Sequence, residues 1–235
     1  MSAQDSRPSR SASRIRRVDV AIPPLGLRGL LRLPESPQGL VVFAHGSGSS
    51  RFSPRNNHVA DALGRAGFAT LLFDLLTEAE EADRANVFDI PVLAERLVHA
   101  IDWAQDQIPV AQGGVGLFGA STGSAAALAA AARRPDRVAA VVSRGGRPDL
   151  ALSELGHVRA PSLLLVGSLD TDVLRLNETA YAELPEPKSL QVVPGASHLF
   201  SEPGTLDIVV DAAAAWFRRF LAGSHEKKGQ ADVVS

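Results

Sequence analysis

Short apolar runs alternate with longer amphipathic or alanine-rich stretches along most of the chain. Runs of four to six mostly apolar residues predict strands that are buried on both faces. Two further runs near the N-terminus, 18–22 and 27–33, flank a Pro-Pro pair and a glycine. They predict a pair of antiparallel strands joined by a turn. The runs with the buried-strand pattern are 40–44, 69–73, 115–118, 138–143, 162–167 and 190–193.

Helical patterns occupy the intervals between these strands. In the second of them, apolar side chains recur at helical spacing and predict one buried face, formed by Val92, Leu93, Leu97, Ile101 and Trp103. The alternation predicts an α/β fold with a mostly parallel central sheet of about eight strands and helices on both faces. Fewer than twenty residues separate the strands 138–143 and 162–167, so we expect no cap domain. The predicted helices cover 55–66, 91–107, 125–132, 174–183 and 206–221.

The ends of the chain differ from its middle in composition. Residues 1–13 are rich in Ser and Arg and contain almost nothing to bury, and residues 223–235 are also polar. We therefore predict two disordered tails around one α/β domain at 14–222. The N-terminal stretch has no apolar segment of the kind that a secretory signal requires.

Charge and cysteine content narrow the function classes. The 24 basic and 26 acidic residues nearly balance, which argues against a nucleic-acid or anionic-membrane partner. No apolar run is long enough to cross a bilayer. The absence of cysteine excludes disulfides, a thiolate nucleophile and Cys-ligated metal. A cytoplasmic location is compatible with this composition and is our expectation.

The most informative stretch is Gly-Ala-Ser-Thr-Gly at 119–123, between a predicted strand and an alanine-rich helix. A serine at such a strand-to-helix turn is held in a strained conformation with its Oγ exposed, and the flanking glycines allow the close approach. A serine nucleophile needs a base and an orienting acid. Asp170 and Asp172 follow one later strand and His198 follows the next, in the order Ser, acid, His. Either aspartate is equally suited to cap a helix.

From about residue 40 to residue 221 the chain resembles the α/β-hydrolase superfamily, and within it the dienelactone-hydrolase-like group. The resemblance is carried by the 119–123 turn, His-Gly-Ser-Gly at 45–48, Gly-x-x-Asp at 167–170 and Gly-Ala-Ser-His at 195–198. Dienelactone hydrolases carry a cysteine nucleophile and this chain has none, so the resemblance implies the fold and serine-esterase chemistry but not the lactone substrate.

The resemblance also implies roles for individual residues. Ser121 would be the nucleophile, His198 the base, and Asp170, preferred to Asp172 for its Gly-x-x-Asp spacing, the acid. The backbone N–H groups of Thr122, which follows the nucleophile, and of Ser47 would form the oxyanion hole. Because both donors are main-chain groups, we expect the side chains of Ser47 and Thr122 to be replaceable at little cost.

Two arginines and the remaining histidines are further candidate ligands. Arg144, after a strand, and Arg51, beside the 45–48 turn, are candidates to bind a substrate carboxylate. The remaining histidines show no metal-ligand spacing, and the glycine-rich stretches fit neither a dinucleotide nor a phosphate-binding loop, so we expect no metal and no cofactor.

The sequence therefore predicts a serine hydrolase that cleaves an ester, thioester or lactone of a small-molecule acyl substrate through an acyl-enzyme. Acyl transfer or peptide cleavage by the same residues, and a non-catalytic binding protein of this fold, remain as alternatives. The sequence does not indicate the oligomeric state.

Overall fold

The computed structural model describes residues 15–221, in which eight strands form one sheet. The sheet order is β1-β2-β4-β3-β5-β6-β7-β8, with antiparallel pairing of β2 to both β1 and β4 and parallel pairing elsewhere. The strands are β1 (Arg16–Ile22), β2 (Leu27–Leu33), β3 (Leu40–Ala44), β4 (Ala69–Phe73), β5 (Val115–Ala120), β6 (Val138–Arg144), β7 (Ser162–Gly167) and β8 (Lys188–Val193).

Helices cover both faces of this sheet. The α-helices of the described residues are α1 (Pro54–Arg65), α2 (Glu78–Glu81), α3 (Ile90–Gln107), α4 (Thr122–Arg133), α5 (Thr171–Glu183) and α6 (Thr205–Leu221). Helices α1 and α6 pack together against one face, and α3, α4 and α5 belong to the other. Within residues 15–221, 3₁₀ segments occur at Asn86–Phe88, Pro109–Gly113 and Pro148–His157.

Two apolar cores follow from this arrangement, one on each side of the sheet. The central strands β3 and β5 are buried along their whole length because both of their faces are covered. One core contains the buried face of α3 with the alanines of α4, and the other is built around Phe43, Phe68, Phe118 and Phe217. The α/β prediction is confirmed, and no separate cap domain interrupts residues 15–221.

The sequence analysis did not predict α2 or the 3₁₀ segments, and the other differences lie at the ends of elements. β5 runs on to Ala120, α4 begins at Thr122, and α5 begins at Thr171, three residues before the predicted start. Within α3, Val92 and Trp103 are only partly buried against the core. The two predicted terminal tails, 1–13 and 223–235, lie outside the described residues.

The connectivity determines which loops meet at the carboxyl edge of the sheet. The chain runs from β3 outward to β4 and then returns to β5 on the other side, so the crossovers leave in opposite directions between β3 and β5. Ligands in open α/β sheets bind at such a switch point. Ala44 pairs in register with Gly119, which brings the turn after β3 beside Ser121.

Candidate active site

Ser121 occupies a strained turn between β5 and α4. Its φ of 52° and ψ of −124° lie in a region that non-glycine residues rarely adopt, which costs about 1–3 kcal/mol. The two glycines of the turn allow it because a Cβ on Gly123 would lie 2.3 Å from the Ala44 carbonyl oxygen, and one on Gly119 would lie 2.5 Å from the Ser124 Cα. This packing holds the Ser121 side chain at the edge of the sheet.

His198 and Asp170 complete a hydrogen-bonded chain that starts at Ser121. The Ser121 Oγ lies 3.3 Å from His198 Nε2, and His198 Nδ1 lies 2.7 Å from Asp170 Oδ2. The Asp170 carboxylate can accept a hydrogen bond but cannot donate one. In a neutral imidazole the proton is therefore on Nδ1, and the Nε2 lone pair faces the serine. The Asp170 side chain is 15% exposed and is thus partly shielded from water.

The structure separates the two aspartates that the sequence left as alternatives. Asp170 stands at the N-cap position of α5, but its side chain makes no capping hydrogen bond and contacts His198 instead. Asp172 lies in the first helical turn, 84% exposed, and pairs with Arg175. Asp170 is therefore the aspartate that contacts His198. Asp172 lies near the N-terminus of α5, where an acidic side chain interacts favourably with the helix dipole.

The turn after β3 carries a hydrogen bond that the sequence did not indicate. The Ser47 N–H donates to the Thr122 Oγ1 at 2.9 Å, and the Thr122 side chain is buried. The expectation that the Thr122 side chain is replaceable at little cost is therefore at odds with the structure, because its hydroxyl holds the amide that was expected to face the oxyanion.

His45 stabilises the same turn through contacts of both ring nitrogens. Its Nε2 accepts from the Leu75 N–H at 3.1 Å, and its Nδ1 lies 3.0 Å from the Gly46 carbonyl oxygen. Burial lowers the pKa of His45, so the imidazole stays neutral and can both donate and accept. This histidine links the turn after β3 to the segment after β4.

A small cavity of about 250 Å³ opens beside Ser121. Arg144, at the end of β6, lines it, as the sequence position suggested. Arg51 does not: its main-chain N–H and guanidinium both bind Asp74, its guanidinium lies 4.1 Å from the Phe52 ring centre, and it lines a separate groove. The lining residues are Gly46, Ser47, Ser49, Ser53, Arg55, Asn56, Ala120, Ser121, Arg144, Gly145, His198 and Leu199.

The sequence analysis did not identify Arg55 and Asn56 as residues of this cavity. Both belong to the first turn of α1, which begins directly after the turn that follows β3. Ser53 and Pro54, an N-cap residue followed by proline, mark that helix start in the sequence. A helix starting there must place its first turn at the carboxyl edge of the sheet, and this signal would have found them.

A third residue missed from the sequence, Asn177, connects α5 with the loop after β6. It is fully buried, and its Nδ2 donates to the Gly146 carbonyl oxygen at 2.9 Å. In the same loop the Arg147 N–H donates to the Ser121 carbonyl oxygen at 3.1 Å. The helix that starts beside Asp170 is thus tied to the loop that holds the backbone of Ser121.

Neither metal-binding clusters nor membrane spans occur in the described chain. Within residues 15–221, no three His, Cys, Asp or Glu side chains come together in a way that could hold a metal ion. Over the same residues, no helix combines the length and the apolar character that crossing a bilayer requires.

A sheet of this topology with a strained serine at its switch point defines the α/β-hydrolase class. A family model described as alpha/beta hydrolase fold matches residues 39–185, and the chain belongs to this family. A crystal structure of dienelactone hydrolase from Anabaena variabilis is similar, with 51% identity and a TM-score of 0.84 over 89% of this chain and 99% of that one. The esterase domain of a Rhodothermus marinus protein shares the fold, with a TM-score of 0.69 and 23% identity over 88% of this chain and 99% of that one.

Two curated relatives from Mycobacterium tuberculosis are 57% identical over 206 residues. Both are provisionally named phosphoribosyl transferase. The match covers 88% of this chain and 46% of each relative, so the chain spans about half the length of the curated relatives it matches. The chain is a dienelactone-hydrolase-like member of the α/β-hydrolase family.

Proposed function

We propose that this protein is a serine hydrolase that cleaves a small carboxylic ester, thioester or lactone through an acyl-enzyme. The observation that carries the proposal is the continuous contact from Ser121 Oγ through His198 to Asp170, at a strained turn. A strained backbone and an aligned base have no evident structural use, whereas both activate a nucleophile.

In the first half of the reaction, Ser121 Oγ attacks the carbonyl carbon and its proton passes to His198 Nε2. Asp170 stabilises the imidazolium. The negative charge on the former carbonyl oxygen would face the N–H groups of Thr122 and Ser47. The Ser47 N–H donates to the Thr122 hydroxyl in this structure, so it would have to share its one hydrogen with the oxyanion. When the tetrahedral intermediate collapses, the alcohol or thiol leaves with the proton from His198.

In the second half, His198 takes a proton from water and the resulting hydroxide attacks the acyl carbon. Collapse of this intermediate expels the Ser121 oxygen, which regains its proton from His198, and the carboxylic acid leaves. The cavity volume of about 250 Å³ lies below the roughly 300–1,000 Å³ of drug-sized sites, which favours a short acyl group. No step needs a cofactor.

The transferase name of the mycobacterial relatives belongs to proteins about twice as long as the region they share with this chain. The shared region of 206 residues includes the part of this chain that the hydrolase model matches. We therefore assign hydrolysis, not phosphoribosyl transfer, to this chain.

The test is covalent labelling of the purified protein by a fluorophosphonate, together with hydrolysis of 4-nitrophenyl butyrate. We expect labelling to be lost in Ser121→Ala, with turnover lower by at least about three orders of magnitude. Ser153→Ala, an exposed serine on the Pro148–His157 segment, is the matched control and should behave as wild type. A folded wild-type protein that neither labels nor turns over any ester would favour a binding protein of this fold.

Hydrolysis is distinguished from its alternatives by the acceptor and by the bond cleaved. Release of free acid as the main product in the presence of added alcohols and amines supports hydrolysis. A dominant ester or amide product would establish acyl transfer, and cleavage of peptides in preference to esters would establish a peptidase.

A further inference from the structure

Arg144 and Arg55 both line the cavity beside Ser121. Arg144 is 6% exposed, and within the described chain its guanidinium makes one hydrogen bond, to Asn56 Oδ1 at 3.3 Å. Its Nε is buried without a partner, and so is the Nε of Arg55. None of the described residues that line the cavity is an aspartate or a glutamate.

Several other arginines of this fold are paired with carboxylates, and Arg32 is the one closest to Arg144 in burial. Arg32 is as deeply buried as Arg144, and its Nε lies 3.0 Å from Asp61 Oδ1. A buried guanidinium without an acid carries an uncompensated loss of hydration. Burial and the charge of Arg55 lower the pKa of Arg144 to about 10, so the side chain is still charged at neutral pH. Such a group is suited to receive an anion from outside.

The surroundings of the two guanidinium groups fit an oxyanion. Asn56 holds the Arg144 side chain in place, and the Phe200 ring centre lies 5.7 Å from its Cζ. Ser49 and Ser53 also line the cavity. Arg55 comes from the first turn of α1, where the helix dipole also favours negative charge.

We propose that Arg144 and Arg55 form a subsite for a dianionic group of the substrate, a phosphate monoester, on the same molecule whose ester carbonyl Ser121 attacks. Two guanidinium charges are balanced by a dianion, whereas a single carboxylate would leave one unpaired. A sphere of the cavity's volume is about 8 Å across, so only a few bonds separate the anion from the scissile carbonyl. This inference rests on the proposed hydrolase function and narrows its substrates to small anionic acyl esters.

The test compares three 4-nitrophenyl esters at constant ionic strength: the butyrate, the succinate monoester and the 3-phosphonopropionate. We expect wild-type kcat/KM to be highest for the phosphonate and lowest for the butyrate, with at least a tenfold difference between them. In Arg144→Met and in Arg55→Met, the ratio of phosphonate to butyrate kcat/KM should fall at least tenfold. Arg65→Met, an exposed arginine at the other end of α1, is the control and should keep the wild-type ratio.

A preference for the succinate over the phosphonate would overturn the assignment of a dianion. Equal rates for all three esters would overturn the subsite altogether and leave the hydrolase function standing. Arg55 is only partly buried, so we expect Arg55→Met to fold. This variant still tests the subsite if Arg144→Met does not fold.

Binding of inorganic phosphate to Ser121→Ala, measured by calorimetry, separates the two proposals. Binding that is lost on adding Arg144→Met or Arg55→Met supports the subsite even if the wild-type protein hydrolyses no ester, and in that case the hydrolase function fails alone. The absence of phosphate binding, in a wild-type protein that hydrolyses the butyrate, overturns the subsite alone.

Discussion

Replacing Asp170 by Asn tests whether the carboxylate that contacts His198 is the acid of the reaction. Asparagine has nearly the same shape and can still place an oxygen near Nδ1, so the change removes chiefly the charge. The imidazolium that forms when His198 takes the serine proton would then have no countercharge. We expect the substitution to lower kcat without preventing folding.

The magnitude follows from the geometry. The Asp170 Oδ2 to His198 Nδ1 distance is 2.7 Å, which puts the centres of the two delocalised charges about 4 Å apart. At an effective dielectric constant of about 20, unit charges at that separation attract by about 4 kcal/mol. One factor of ten in rate corresponds to about 1.4 kcal/mol, so kcat should fall by about three orders of magnitude. Full exposure would reduce the attraction to about 1 kcal/mol, but the Asp170 side chain is only 15% exposed.

Asp172→Asn is the matched control, two residues away. The Asp172 side chain is 84% exposed and pairs with Arg175 three residues along the helix, an interaction worth at most about 0.5 kcal/mol of stability. We expect its kcat to stay within about twofold of wild type. The assays are steady-state hydrolysis of 4-nitrophenyl butyrate and the rate constant of fluorophosphonate labelling, which requires the activated serine but no deacylation step. Retention of more than a tenth of kcat by Asp170→Asn, or an equal loss in Asp172→Asn, would refute the reasoning.

Three further predictions concern the turns around the serine. Thr122→Val leaves the Ser47 N–H without its acceptor, and because a neutral hydrogen bond is worth about 1 kcal/mol, kcat should fall about fivefold, whereas Thr122→Ser should retain activity. Because burial lowers the pKa of His45, the unfolded chain binds a proton below about pH 6.5 that the folded protein excludes. The unfolding free energy from urea titrations should therefore fall between pH 7 and pH 5, by up to about 1.4 kcal/mol per pH unit from this group, and His45→Gln should remove that part of the slope. Gly123→Ala places a Cβ 2.3 Å from a main-chain oxygen and should cost more than about 3 kcal/mol of stability, whereas at Gly156 a Cβ meets nothing within 4 Å and alanine should change stability by less than about 1 kcal/mol.

A different result would contradict each of these three predictions. Faster turnover in Thr122→Val would mean that the hydroxyl competes with the oxyanion for the Ser47 amide instead of positioning it. The same pH slope in His45→Gln as in wild type would mean that His45 takes up a proton in the folded state. Equal stability of the two alanine variants would mean that the turn at Gly123 relaxes to admit a side chain.

The strands and the position of the serine were predictable from the sequence because their causes are local. A strand covered on both faces leaves a continuous apolar run, and β3, β4 and β7 have the predicted bounds. A sharp turn between a strand and a helix requires glycines at fixed offsets from the central residue. The turn at 119–123 can therefore be recognised from five consecutive residues. Helix starts were less certain: Thr171, Asp172 and Val173 lack the apolar spacing by which α5 could have been recognised there.

Contacts between distant residues were decided by the tertiary structure alone. The early start of α5 turns Asp172 toward solvent and leaves Asp170 at the helix boundary, facing a histidine 28 residues away. The hydrogen bond from the Ser47 amide to the Thr122 hydroxyl joins residues 75 positions apart and depends on the pairing of β3 with β5.

The two candidate arginines illustrate the same division. In the sequence, Arg51 and Arg144 are alike: each is a basic residue close to the end of a predicted strand. Asp74 neutralises Arg51 outside the cavity, whereas Arg144 lies buried beside Ser121 in a cavity that none of the described aspartates or glutamates lines. Local sequence thus determined the fold class, the turn that carries the serine and the order of its candidate partners. The charge of the cavity follows from which side chains the packed sheet brings together, because pairing and burial depend on neighbours that the chain order does not specify.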